Sequence, residues 1–592
     1  MSLATPFRIN KITFNDETTI SLSNMTVFIG PNNVGKSRAL SESIAYSQSE
    51  GLSIQPKPVI VSAVDIDGPN SWQEMTEVLP DPPTIEPASY KIESLKSDLQ
   101  GAGGPQVSWG ANSINAEDAI TDAISGNDRK RRLKQFMSGA IVYLKTDTRL
   151  SLLADSHTAQ SAYKPENLMQ YLYKAGSCVE TEISQTVHKH FGKKIRLDIS
   201  DSRHLRIRFS PDFDDVPPDP RDALEPMAKR ERLEEQGDGV RSFTTIVAAL
   251  KAIQRSIFAI DEPETFLHPP QAFQIGKIIG NAASDNRQLI VATHSSDVLR
   301  GILSTADDVT IVRIDRTGNE NSFCEINSEA LNQITENPLL SSARVLDGLF
   351  YSSVIVTESD ADAKFFASAF SHVNKELEAH FVAAENKQTV AKVLQLYSMM
   401  GVKHAGIVDF DMLRVETEIS QAMMQLGIPQ GQQDTVLDIR NLIAKEANQV
   451  PAKVRLENFK SLLTRMHATV TEINDDASEK EVGKALKSLQ KRASEAANLT
   501  KPWKDLKEKG RAGLSPSAQE KFDELYNLLL SHGLCIYPLG ELESSLTEFG
   551  LGYTTNKRQW IVAALKMIAN LQVSGEKSFW KTISNIISER LS

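Results

Sequence analysis

The chain has 592 residues, 40% hydrophobic and 24% charged, with a formal net charge of −11. That length exceeds what one core organises, so two to four domains are expected. The acidic total argues against a protein that coats nucleic acid non-specifically, while leaving room for a local basic groove. No apolar run approaches the roughly 20 residues of a membrane span, and Met1-Ser2-Leu3-Ala4-Thr5-Pro6 lacks the pattern of a signal peptide. Three scattered cysteines (Cys178, Cys324, Cys535) fit a reducing compartment and no zinc site. A cytoplasmic protein with no membrane attachment is expected.

Residues 7–29 read as two short strands around a turn, Thr26 to Ile29 forming the second. It runs into Gly30-Pro31-Asn32-Asn33-Val34-Gly35-Lys36-Ser37, after which Arg38 to Tyr46 reads as helix. The spacing G-x-x-x-x-G-K-S between strand and helix is that of a phosphate-binding loop. Gly30 and Gly35 let backbone N–H groups around Asn32 wrap phosphates at a helix N-terminus. Lys36 is placed to neutralise the β/γ-phosphates, and Ser37 to ligate Mg²⁺. The stretch from Ser37 to Gly237 is longer than a minimal nucleotide-binding head needs, and Pro80-Asp81-Pro82-Pro83, Gly101 to Pro105 and Val216 to Pro220 are loop-like. Residues 50–225 therefore read as an inserted region, a hypothetical source of dimer contacts, with Leu168 to Lys189 helical and Ile195 to Phe209 in strands. Its basic cluster, Arg129-Lys130-Arg131-Arg132 with Lys134, fits a solvated helix face as well as a phosphate contact.

Gly237-Asp238-Gly239-Val240-Arg241 opens a helical stretch, Ser242 to Ile253. Ser256 to Ile260 is an apolar strand ending in Asp261-Glu262, where Asp261 would hold the Mg²⁺ shell and Glu262 would polarise the attacking water. The next strand, Gln288 to Thr293, ends at His294, placed to touch a γ-phosphate. A helix-start histidine bonded to backbone is the alternative, which the spacing after the Asp-Glu strand outweighs.

The turn-rich Arg316 to Asn321 marks a domain boundary near 316–345. Tyr351 to Thr357 is then a strand closed by Glu358, and Asp360 to His372 a helix whose first turn holds Asp360, read as a cap, and Asp362. The loop Glu385-Asn386-Lys387, the helix Thr389 to Met400 and a second apolar strand lead to Asp409-Phe410-Asp411. Acids at apolar strand tips are costly unless paired or metal-bound, and oxygen-only ligands suit Mg²⁺ or Mn²⁺. A third strand-like run, Cys535 to Gly540, ends at Glu541 and Glu543. Between Leu413 and Leu534 the chain reads as almost wholly helical. Lys501, Lys504, Lys507 and Lys509 there could line a nucleic-acid channel, against the plainer reading of solvated helix surface. Lys557 to Leu591 is amphipathic helix, in which Lys577 is a candidate phosphate or transition-state cation.

Asp261-Glu262-Pro263-Glu264-Thr265-Phe266-Leu267-His268-Pro269, followed by Thr293-His294-Ser295, resembles the ABC-type ATPase heads of recombination and chromosome maintenance. The resemblance implies that Glu262 is the catalytic base and His294 the switch histidine. It makes Gly237, Asp238 and Gly239 the signature loop that meets the other subunit's phosphates, with Gly237 where serine is usual. One head per chain implies a homodimer. Downstream, the order strand-Glu358, helix, strand, helix, strand-Asp409-x-Asp411 resembles the Toprim fold of topoisomerases, primases and nucleases, with Ser359 where glycine is usual. There Glu358, Asp409 and Asp411 would hold the metal, joined by Asp362 and Glu543.

A head followed by such a domain resembles the OLD (overcoming lysogenization defect) family, which includes the nuclease-ATPase subunit of the Gabija antiviral system. The resemblance implies an α/β chain: an ABC-type head over residues 1–335, then a Toprim-like parallel-sheet domain over 345–592 with a helical insertion at 413–534. It implies a homodimer or higher oligomer that cuts DNA under ATP control with Mg²⁺ or Mn²⁺, in antiphage defence. A helicase-like companion would mark the Gabija type. The rival is a sensor or scaffold ATPase whose second domain acts on RNA or only binds a partner. A topoisomerase or primase fits less well, since no tyrosine can be assigned as a strand-passing nucleophile.

Overall fold

Apolar runs without polar alternation mark strands covered on both faces, as parallel sheets require. Met25–Ile29 (β3), Ile141–Leu144 (β5), Ile257–Asp261 (β6) and Gln288–Ala292 (β7) are such runs, buried along their whole length. The computed structural model describes residues 4–49, 54, 57–79, 84–86, 89–91, 99, 108–109, 116–158, 165–326, 343–374, 379–448, 452–471, 479, 482–483, 486–490, 503–552, 557–570 and 579–591. The chain divides into two units, Met1–Tyr351 and Ser352–Ser592.

In the first unit, β3 lies between β7 and Val309–Thr317 (β8), and β6 lies between β7 and β5, all parallel. Glu320–Ile326 (β9) closes the six-stranded sheet as an antiparallel edge on β8. A smaller antiparallel sheet, Arg8–Phe14 (β1) with Thr19–Ser21 (β2) and Val61–Asp67 (β4), shares its core through Phe7, Ile9, Ile12, Phe14, Phe28 and Ile290. The buried Gln288 amide ties the two sheets, accepting from Ile9 N at 2.9 Å and donating to Ile9 O at 2.9 Å. The helix Leu168–Phe191 packs on Asp238–Ala252 and carries the antiparallel strands Lys194–Asp198 and His204–Ser210. There the buried Arg208 guanidinium meets Asp198 at 2.7 Å.

Three sequence expectations change here. The span 50–225 is not wholly an insertion, because β5 within it is an edge strand of the main sheet, paired to β6. The turn Arg316 to Asn321 is the β8–β9 hairpin, with Gly318 at φ 62, and not a domain boundary. Residues 343–351 group with the first unit: Ser296 Oγ bonds Asp347, and the buried Arg313 donates to Tyr351 O at 3.0 Å. The pairing of β5 with β6 joins residues far apart in sequence, which local composition does not reveal. The segments Pro80 to Pro83 and Gly101 to Pro105 lie outside the described residues.

The second unit holds a four-stranded parallel sheet in the order His380–Ala383 (β11), Ser353–Thr357 (β10), Lys403–Val408 (β12), Leu534–Ile536 (β13). The helices Asp360–Val373 and Lys387–Met399 make the crossovers that parallel strands demand. Between β12 and β13 the described chain is helical, including Glu416–Gln425, Gln430–Asn448, Ala452–Thr471 and Pro516–Ser531. Lys557–Asn570 and Phe579–Leu591 follow as two separate helices.

Candidate functional site

In the first unit the loop after β3 turns through Gly30 at φ 139, Asn33 at φ 68 and Gly35 at φ 95, positive values that two glycines supply without strain. Lys36 opens the helix Lys36–Gln48 and is 6% exposed. Its ammonium donates to Gly30 O at 3.0 Å and Pro31 O at 2.8 Å, and burial lowers its proton affinity.

Asp261 ends β6 two strands away. Burial pushes its carboxyl up to about 6, against a hydrogen bond from Ser37. Its Oδ1 is buried with no hydrogen-bond partner among the described residues, an oxygen suited to a cation shell. Ser37, Asp261 and Lys36 thus converge.

Glu262 follows at φ 43, in the left-handed region. Its Oε1 lies 3.6 Å from His294 Nδ1, while the buried Glu264 lies closer, at 3.0 Å. Glu264 also accepts from His294 N at 2.6 Å and from Thr293 Oγ1 at 2.8 Å. Hydrogen bonding to Glu262, with the charges of both glutamates, holds the imidazole above its ordinary range. The helix Asp238–Ala252 begins directly after Gly237, four residues earlier than expected. A Cβ on Gly239 would lie 2.6 Å from Phe266 O, so only glycine fits where this helix start meets the loop after Glu262. Asp238 is exposed and pairs with Arg241 at 3.0 Å.

Sequence reasoning missed three residues here. Thr146 donates to Asp261 O at 3.0 Å, Arg149 reaches the same turn, and Glu264 anchors His294. Glu264 stood in the recognised motif, whereas nothing local flagged Thr146 or Arg149. The basic cluster is partly spent on structure: Arg129 pairs with Asp67 at 2.7 Å and Lys130 with Asp65.

In the second unit Thr357 pairs with Ile407 in the parallel register, so Glu358 and Asp409 emerge side by side. Asp409 N donates to Glu358 Oε1 at 2.8 Å. Burial, with the neighbouring acids, pushes Glu358 up to about 7 and Asp409 well above the usual carboxylate range. The other acids are neutralised by lysines. Asp411 meets Lys387 at 3.3 Å and Lys507 at 3.0 Å, and Asp362 meets Lys557 at 2.9 Å. Lys387 also pairs with Glu418 at 2.8 Å, and Lys507 with Glu541 at 2.6 Å. Glu543 is buried beside Lys557, Glu541 and Asp362. Ser359, not Asp360, is the N-cap, and Asp360 pairs with Lys364 at 3.2 Å on the surface.

Among the described residues no three His, Cys, Asp or Glu side chains form a group set to hold a metal ion. The donor set nevertheless suits one. Glu358 and Asp409 are adjacent, oxygen-only and half-buried, and make no ion pair among the described residues. Lys507, weighed as a channel residue against solvated helix surface, is half-buried between Asp411 and Glu541. Lys387 and Lys557 were missed, since each reads locally as a helix-start residue. Lys501 and Lys577 lie outside the described residues, as does the side chain of Lys504; Lys509 is exposed.

The Old nuclease of Escherichia phage P2 is 24% identical over 168 residues, 27% of this chain and 28% of that protein. This chain resembles the OLD nucleases. The match spans little more than a quarter of that relative. A family described as "AAA domain, putative AbiEii toxin, Type IV TA system" matches residues 182–300 of the OLD-like chain, which hold Gly237–Gly239, Asp261–Glu264 and His294. An ATPase domain of this kind implies ATP binding. Two solved Smc heads also align with the OLD-like chain. The Pyrococcus furiosus head with an extended coiled coil, bound to the C-terminal domain of ScpA, has 13% identity, covers 56% of this chain and 99% of that one, and gives a TM-score of 0.32. The Thermotoga maritima head has 14% identity, covers 54% and 99%, and gives 0.27. No described helix is long and apolar enough to cross a membrane.

Proposed function

We propose that this chain is an ATP-regulated, divalent-metal-dependent DNA endonuclease of the OLD type, acting in antiphage defence, with a Toprim-like second unit. The observation that carries the reading is the adjacency of Glu358 and Asp409 at neighbouring parallel strand tips, both half-buried and neither in an ion pair among the described residues. Glu358 and Asp409, with Asp411, Asp362 and Glu543, would hold Mg²⁺ or Mn²⁺. Such an ion supplies Lewis-acid polarisation of a phosphodiester and an activated water. Lys387, Lys507 and Lys557 keep the remaining acids neutralised and leave cationic side chains beside the site.

In the first unit Lys36 and Ser37 would bind the triphosphate, Asp261 its metal, and Glu262 with His294 would orient the attacking water. Two copies closing over nucleotide through Gly237–Gly239 would join two nuclease units in one homodimer. A helicase-like companion would place it with the Gabija type.

Purified protein incubated with supercoiled plasmid and Mg²⁺ or Mn²⁺, with and without ATP, tests the reading. Nicking or linearisation is expected, abolished in Glu358→Gln and Asp409→Asn while ATP hydrolysis persists. Lys36→Ala should lose ATP binding. Full cutting by both carboxylate variants would reject the site. No cutting of DNA, with ATP hydrolysis intact, would favour the sensor or scaffold reading, which the lysine-neutralised acids also fit.

A further inference from the structure

Arg149 has no exposed surface, yet among the described residues its guanidinium donates to one hydroxyl and two backbone carbonyls and to no carboxylate. It opens a single 3₁₀ turn, Arg149–Ser151, shortly after β5. Its Nε donates to Ser242 Oγ at 2.9 Å, one Nη to Asp261 O at 2.8 Å and the other to Glu262 O at 3.0 Å. Those two carbonyls bracket the α-carbon of Glu262, so one rigid fork holds both peptide planes that set its φ and ψ. The φ of 43 they hold is one a glutamate seldom adopts. The third contact, Ser242, lies on the helix opened by Gly237–Gly239, and Arg241 of that helix returns a bond to Leu150 O at 2.9 Å.

We propose that Arg149 is a positioning residue for ATP hydrolysis, holding the turn that aims Glu262 and linking it to the helix behind the signature loop. It touches no reacting atom; it acts through the geometry of Glu262. A lysine ammonium cannot serve three separated acceptors in a plane. The proposal rests on the ATPase reading of the first unit.

The test uses the full chain and measures steady-state ATP hydrolysis beside equilibrium ATP affinity. Arg149→Lys and Arg149→Ala are expected to lower kcat about tenfold to a hundredfold, the range a misplaced catalytic group costs, with ATP affinity nearly unchanged. Ser242→Ala should show a smaller kcat loss. In a Glu262→Gln background Arg149→Lys should add no further loss, because its effect runs through Glu262. Hydrolysis at the wild-type rate in Arg149→Lys overturns the inference, as does a full additional loss in the Glu262→Gln background. If Arg149→Ala fails to fold, Arg149→Lys decides. Wild-type protein without hydrolysis sensitive to Lys36→Ala overturns the ATPase reading itself, and the inference with it.

Discussion

Glu264 shows how one buried carboxylate can govern a neighbour's chemistry. It accepts from Thr293 Oγ1 and His294 N and faces the imidazole at 3.0 Å, so it sets both the position and the charge of His294. Glu264→Gln keeps the shape and removes the charge. Hydrolysis should fall about tenfold or more, as for loss of a proton-handling group, with ATP affinity retained. Because the glutamates favour the protonated imidazole, removing one lowers the pH at which His294 gives up its proton. The alkaline limb of the kcat profile should therefore move to lower pH; a profile that stays put would contradict this role. Lys36, Asp261 and His294 were legible in the sequence because strand, loop and acid follow one another locally. Arg149 was not: its acceptor on Asp261 lies 112 residues away, and a backbone carbonyl leaves no residue-type signature.

At the scale of elements, the start of the helix Asp238–Ala252 tests how tightly Gly237–Gly239 abuts the loop after Glu262. Gly239→Ala would force a methyl to 2.6 Å from Phe266 O, whereas a methyl on Gly237 meets nothing within 4 Å. Gly239→Ala should cost about 1–3 kcal/mol of stability, the usual penalty of overpacking. Gly237→Ala should stay within about 0.5 kcal/mol. Chemical denaturation of the two variants checks this, and equal stabilities would show that the loop yields freely. Element type was legible wherever apolar runs were unbroken, as in Val354 to Val356 and Phe258 to Ile260. Pairing was not. Ile141–Leu144 is four residues long, and only its register with Ile257 to Ile260 reveals it as part of the main sheet. The lysines at Lys387 and Lys557 escaped for a related reason, since a helix-start lysine becomes informative only when its acid, Asp411 or Asp362, is known.

At the scale of the molecule, two units with separate sites should answer separately to their ligands. Calorimetry should resolve an ATP-sensitive transition and a Mn²⁺-sensitive one, each raised by up to about 2.7 kcal/mol at a hundredfold excess over the dissociation constant. Lys36→Ala should abolish only the first response and Asp409→Asn only the second. A single transition moved equally by both ligands would show one cooperative unit. The division into two units follows chain length and motif order, but its place does not. Residues 345–351 read as the start of the second domain, whereas Asp347 on Ser296 and Tyr351 O on Arg313 tie them to the first unit.

The Lys36 ammonium donates to both Gly30 O and Pro31 O of its own loop. On the proposed nucleotide reading, two of the ammonium's three donors stay with the loop and the third would be left for a phosphate oxygen. A nucleoside or monophosphate would have nothing to offer at that position. The loop's own carbonyls would then hold the ammonium in aim, and a chain of phosphates long enough to reach Lys36 would be what it selects.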